Sequence, residues 1–338
     1  MTKGTKIFRI VICVLLALTI IWSAFLGAIL LSDRFRESVI GEEYGLWITN
    51  VRVTSANAED ILGDGTVHYD AYDNLLTFEN AFIESEHTIV YSVNDLNVRL
   101  IGENKFICKN ESENFGIYAG DSYIHKDLVI YGDGSLAIEM PTKSEAATGI
   151  FAEDLKVYSD ITITTPDCEF MSEGIVCDSS LLVVNKANVT VNNGMATHSM
   201  GVRVRGNALF EEGTALNVSV KSGTTESCEG LNVIGDLFME KNTALNISIG
   251  DELTESGECI RVNGLMDIGA DSKVTASAKN AHAIACYGSV KVNEGAMVSA
   301  VSDKKDADIF CSGAVVNYGA EMDAGIDAVG GIHNRSES

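Results

Sequence analysis

Residues 231–247 read LNVIGDLFMEKNTALNI. Three short runs alternate apolar and outward positions: Leu231-Asn232-Val233, Leu237-Phe238-Met239 and Leu245-Asn246-Ile247, separated by turn residues such as Gly235-Asp236 and Lys241-Asn242. A period of two is the strand signal, and runs of three are too short for a helix. The same unit recurs along the chain. Copies begin at Ile117, Ile150, Ile175, Val202, Leu231, Ile260, Ile284 and Ile309, at intervals of 24–33 residues. Two places later stand Ala119, Ala152, Cys177, Val204, Val233, Val262, Cys286 and Cys311. Self-similarity on this scale means stacked units, each too thin to bury its own apolar face. The predicted fold is all-β, a right-handed parallel β-helix with three strands per rung and rungs about 4.8 Å apart.

Two weaker rungs are expected before the eight copies, one from Val67-His-Tyr69, Leu76-Thr-Phe78 and Ala81-Phe-Ile83, the other from Ile89-Val-Tyr91, Leu96-Asn-Val98 and Phe106-Ile-Cys108. Ten rungs at about 4.8 Å make a column on the order of 50 Å. The third strand of each rung predicts an outward polar ladder of Thr162, Thr190, Asn217, Asn246, Thr275, Ser299 and Asp323. The facing of the second strand stays open, because Phe210, Phe238 and Met266 fit either side. A short helix over residues 55–62, capped by Ser55 or Asn57, is expected to close the first rung.

Residues 10–31 carry no formal charge and follow Lys3, Lys6 and Arg9. As a helix of about 33 Å they would cross a bilayer core of about 30 Å, with the N-terminus cytoplasmic. A cleaved signal peptide is the rival reading, although its apolar stretch is usually about 7–15 residues. The expected organisation is a cytoplasmic start at 1–9, a membrane anchor at 10–31, a linker at 32–46, an extracellular β-helix at 47–327 and a disordered tail at 328–338.

The formal charge is −24. The first 36 residues contribute +4, which leaves −28 on the remainder. Such a surface excludes nucleic acid, which needs basic patches, and disfavours polyanions unless a metal bridges. It keeps a long solenoid soluble and apart from its neighbours. Cys177, Cys286 and Cys311, among eight cysteines, occupy the inward position held elsewhere by Ala or Val, which reads as core packing rather than a disulfide framework.

One constellation brings basic, amide and acidic groups together. Arg203 and Arg261 share the outward position of the first strand two rungs apart, Asn232 lies between them, and Glu229 and Glu258 stand one step upstream. An ordinary surface ion-pair ladder is the competing structural account. Glu226, Asp251, Glu255 and Glu258 belong to successive acidic loops that could offer oxygen ligands to calcium, whereas no Cys-x-x-Cys pair or Cys/His cluster offers a zinc site. Tyr118 and Phe151, outward on adjacent rungs, are candidate ring platforms for sugar, with coverage by a flanking loop as the alternative. The six histidines are scattered, and no nucleophile elbow, P-loop or dinucleotide fingerprint occurs.

The stretch ITNVRVTSANAEDILGDGTVHYDAYDNLLTFENAFI at 48–83, followed by LNVRLIGENKF at 96–106 and GIYAGDSYIHKDLVIYGDGSLAI at 116–138, resembles a group of surface proteins of anaerobic gut Gram-positive bacteria. These proteins are pectin-lyase-like β-helices, and some are described as carbohydrate-binding. The resemblance implies a cell-surface β-helix that binds a polysaccharide or other surface glycan. The paired-Asp, Gly-His-Gly and Arg-Ile-Lys motifs of the polygalacturonases are missing from this sequence. The leading reading is a non-catalytic, membrane-anchored glycan binder. A polysaccharide lyase or hydrolase and a structural stalk or adhesin are the alternatives.

Overall fold

In a computed structural model of the chain, residues 18–23, 41–121, 123–221, 227–250, 256–279, 281–303 and 308–335 are described. Their strands form three sheets of 12, 12 and 10 strands, and successive strands pass from one sheet to the next. From Val90 onward every strand pairs in parallel with its counterparts in the adjoining turns. The chain is a parallel β-solenoid, with eight regular three-strand turns from Glu113–Ala119 to Glu321–Asp323 and, before them, the expected turn of Val90–Ser92, Leu96–Ile101 and Glu103–Cys108. The eight starting residues of the repeat form one in-register column, from Ile117 and Ile150 to Ile284 and Ile309.

The core is the axis of the coil. Val, Leu and Ile at both flanks of each three-residue run point inward and are almost wholly buried, each stabilising the fold by about 1.5–3 kcal/mol. Cys177, Cys286 and Cys311 lie in this core as free thiols. Burial pushes the thiols of Cys108, Cys228 and Cys259 up to about 12, so they behave as small apolar side chains. The second strands also resolve: Phe210 and Met266 are inward and Phe238 outward, because they occupy the third, first and middle positions of their runs. The expected third-strand ladder lines up in register, with Asn246 donating to Asn217 at 2.8 Å, while Asn217 donates not to its ladder neighbour Thr190 but to Asn188 at 2.7 Å.

The N-terminal end departs from the expected pattern. Val67–Asp70 is no rung strand but the antiparallel partner of Leu75–Glu79. Strands Glu43–Ile48 and Val51–Thr54 form a second antiparallel pair that joins the first sheet against Val90–Ser92. The rung count therefore differs from the ten expected, because hairpins close the opening where a full turn was predicted. Residues 55–62 are a run of turns rather than a helix. Asn57 accepts from the Thr54 amide and Asp60 accepts from Gly63 and Gly65, satisfying the backbone through side chains instead of helical bonds. Ile61 fills the end of the core from this segment.

Two expected boundaries also shift. Glu43–Ile48 starts inside the stretch read as linker, and Ile332–Asn334 pairs with Val315–Asn317 beyond residue 327. No helix of the described residues is long and apolar enough to cross a membrane, and the expected anchor lies, apart from 18–23, outside the described residues.

A column of glycines positions the outer face of the first sheet. Gly116, Gly149, Gly174, Gly201 and Gly230 follow one another up the stack, each just before the inward residue that starts a repeat. A Cβ on Gly174 would come within 2.2 Å of Val191 Cγ1 and 2.5 Å of the Gly201 carbonyl oxygen. In a flat strand, residues three apart point to opposite faces. Glu229 and Asn232, on either side of Gly230, nevertheless touch, so the alternation breaks there and both face the same side.

Candidate functional site

One outward column runs the length of the first sheet. In register it holds Trp47, Tyr91, Tyr118, Phe151 and Val176, then Arg203, Asn232, Arg261, Ala285 and Phe310. All five residues expected to bind ligand, namely Tyr118, Phe151, Arg203, Asn232 and Arg261, belong to it. They fall into two chemically distinct stretches.

The first stretch is aromatic. Trp47 and Tyr91 have ring centroids 5.2 Å apart, Tyr91 and Tyr118 5.8 Å, and Tyr118 and Phe151 5.1 Å with planes only 15° apart. Phe115 meets Tyr118 edge-on, and His125 meets Phe151 the same way. The turn after Tyr118 folds back, its Asp121 carbonyl accepting from the Tyr118 hydroxyl at 3.1 Å. The faces of Tyr118 and Phe151 are thus turned to protein, and burial raises the Tyr118 phenol above its ordinary value. Near the start of the stretch the rings tilt, by 32° between Trp47 and Tyr91, and a cleft of about 360 Å³ opens beside them.

The second stretch is polar and lies deeper than a surface ladder. Glu173, 4% exposed, pairs with Arg203 Nη2 at 3.1 Å and accepts from the Thr148 hydroxyl at 3.3 Å. Glu229, 7% exposed, accepts from Asn232 at 2.5 Å and lies 3.5 Å from Arg261 Nη1. Arg261 also reaches Glu258 at 3.7 Å and spreads over the Tyr287 ring at 5.1 Å. Burial raises both Glu173 and Glu229 above the ordinary carboxyl value, with Arg203 opposing the rise at Glu173 and the Asn232 hydrogen bond opposing it at Glu229. These are charges drawn out of water and held by partners, unlike the exposed pairs Lys105–Glu139 and Lys109–Glu84 elsewhere on the molecule.

Two buried atoms of this stretch are unspent. Neither Arg203 Nε, a donor, nor Asn232 Oδ1, an acceptor, has a hydrogen-bond partner, and the two residues are register partners on adjacent turns. A hydroxyl can accept from the first or donate to the second.

Of the expected calcium ligands, Glu226, Asp251 and Glu255 lie outside the described residues, and Glu258 is engaged by Arg261 and Tyr287. Among the described residues no group of three or more His, Cys, Asp or Glu is arranged to hold a metal. Trp47, Tyr91, Glu173 and Tyr287 belong to the site without having been read from the sequence. For Glu173 a signal existed, since Glu173-Gly174-Ile175 matches Glu229-Gly230-Leu231. No family model, curated protein or solved structure matches the chain.

Proposed function

We propose that this chain is a non-catalytic, membrane-anchored β-solenoid of the cell surface that binds an extended polysaccharide along the outer face of its first sheet. The unpartnered donor Arg203 Nε and acceptor Asn232 Oδ1, on register partners of adjacent turns, carry the reading, because they are hydrogen-bonding groups the protein leaves unmatched and a sugar hydroxyl brought against the column can accept from the one or donate to the other. Repetition supports a polymer over a small molecule: equivalent groups recur at about 4.8 Å per turn and about 9.6 Å on alternate turns, a scale that an extended β-linked chain shares. Arg203 and Arg261, two turns apart, would flank such a chain, with Asn232 between them. The charge-free stretch 10–31 after three basic residues supports the anchor and an outward-facing solenoid.

The test uses the full chain in vesicles, screened for retention of plant, microbial and host polysaccharides with and without calcium. Asn232→Leu combined with Arg261→Ala should weaken the retained polymer at least tenfold, about 1.4 kcal/mol, with the fold intact by circular dichroism. Unchanged affinity in this variant overturns the site. Failure of the parent to retain any polysaccharide returns the protein to a structural stalk.

A further inference from the structure

The cleft beside Trp47 lies at the opposite end of the column from Arg261 and shares none of its chemistry. Its walls combine the Trp47 and Tyr91 rings with hydroxyl, amide and imidazole groups from Thr49, Asn50, His87, Thr88 and Asn110. At about 360 Å³ it is within the range of small-ligand clefts, about 300–1,000 Å³. No carboxylate, lysine or arginine lines it, on a protein of formal charge −24. An anion entering there would meet the field of the whole molecule with no lysine or arginine in the lining to hold it. Arg52, which does not line the cleft, lies over the Trp47 ring at 5.4 Å and is held by Glu43 at 2.7 Å.

The backbone gives an independent sign. Thr49 opens the two-residue turn between Glu43–Ile48 and Val51–Thr54 at φ 58°. A β-branched residue rarely adopts this conformation, which glycine or asparagine takes at little cost, and strain of this kind gathers at ligand clamps. Glycine there would remove the hydroxyl from the cleft. The Thr49 hydroxyl donates to Asn50 Oδ1 at 3.3 Å, which uses the amide oxygen and leaves the NH2 donors for a ligand oxygen.

Rings beside converging hydrogen-bonding groups of no net charge match a molecule with C–H faces and a rim of hydroxyls. We infer that the Trp47–Tyr91 cleft is a subsite for an uncharged pyranose ring, separate from the polar stretch at Arg203–Arg261. This inference rests on the glycan reading above and deepens it. The ring could arrive as a free saccharide or as the end of a longer chain, which the two ligand arms below distinguish.

Trp22 and Trp47 are the chain's two tryptophans, so the full chain carrying Trp22→Phe reports the cleft alone. Neutral methyl hexopyranosides form one arm and neutral β-linked oligosaccharides the other, with a uronic acid monomer as control. The expected result is a saturable shift of Trp47 emission with a neutral sugar, at least tenfold weaker with the uronic acid. Asn50→Ala with His87→Ala, both at exposed positions, should weaken that binding at least tenfold and leave polysaccharide retention through Asn232 and Arg261 unchanged. Should Trp47 lie where ring loss unfolds the hairpin, Trp47→Phe read by calorimetry keeps the ring and should stay within threefold. Saturation by oligosaccharide alone assigns the cleft to chain ends, and saturation by both arms to free sugar as well. No saturable shift in either arm overturns the inference, and the glycan reading survives if the polymer is still retained. Binding that ignores the Asn50/His87 substitutions overturns it equally.

Discussion

The aromatic and polar stretches of the first-sheet column share one backbone and differ in what that backbone demands of their side chains. Parallel strands repeat at about 4.8 Å, a comfortable spacing for stacked rings, so Tyr91, Tyr118 and Phe151 satisfy one another. Like charges at the same spacing repel. The polar stretch therefore separates Arg203 from Arg261 by Asn232, and Glu173 from Glu229 by Met200. Where the alternation lapses, at Glu229 beside Glu258, the second carboxylate adds to the burial that raises Glu229. An apolar ladder closes on itself. A polar one leaves groups over, and here they are Arg203 Nε and Asn232 Oδ1.

Removing one member from each stretch sharpens this contrast. Arg203→Ala strands the buried Glu173 carboxylate and should cost about 3 kcal/mol, most of it recovered when Glu173→Gln is added. Phe151→Ala should cost about 2 kcal/mol, with no second substitution that restores it, because only packing is lost. Denaturant titration of the singles and the double measures both. A cost near zero for Arg203→Ala would mean that Arg203 is an ordinary surface cation, and a cost like that of Phe151→Ala with no rescue by Glu173→Gln that it acts through packing alone.

The smaller effect is pH-dependent. Glu229 is raised above its unfolded value, so the folded state favours its protonated form. That contribution is full below the unfolded pKa and is lost as pH rises through the folded one. Glu229→Gln, which mimics the neutral form, should melt on the order of 2 °C above the parent at pH 8. The two curves should converge in acid. A variant less stable than the parent at pH 8 would show that the Arg261 contact outweighs burial.

Much of the fold was legible because the repeat is one-dimensional. Inward flanks at 117, 150, 175 and 202 can be aligned without knowing the path between them, and each aligned column exists. The rest failed where the local signal was ambiguous. Ile89 and Val90 are both buried, so the period of two gave a register one residue off, which hid Tyr91 on the inner face. The hairpin of Thr49-Asn50 carries no glycine to announce it, and Trp47 was missed with it. Arg203, Asn232 and Arg261 were found as a column. Their depth was not, because it depends on the break in alternation at Gly230 that lets Asn232 meet Glu229, three residues away, and on Arg203 reaching Glu173 of the preceding turn. A glycine column is visible in the sequence, but its effect on facing is a three-dimensional fact.

The central claim is that the ligand lies on the outer face of the first sheet. Hydroxyl-radical footprinting of the full chain, with and without the polysaccharide that it retains most tightly, tests this directly. Protection should concentrate on His198–Val204, Ser227–Val233 and Ser256–Val262 and on Tyr287, with Met297–Ser302 on the third sheet unchanged. Protection of the third-sheet ladder at Asn217 and Asn246, with the first-sheet strands oxidised as before, would contradict it.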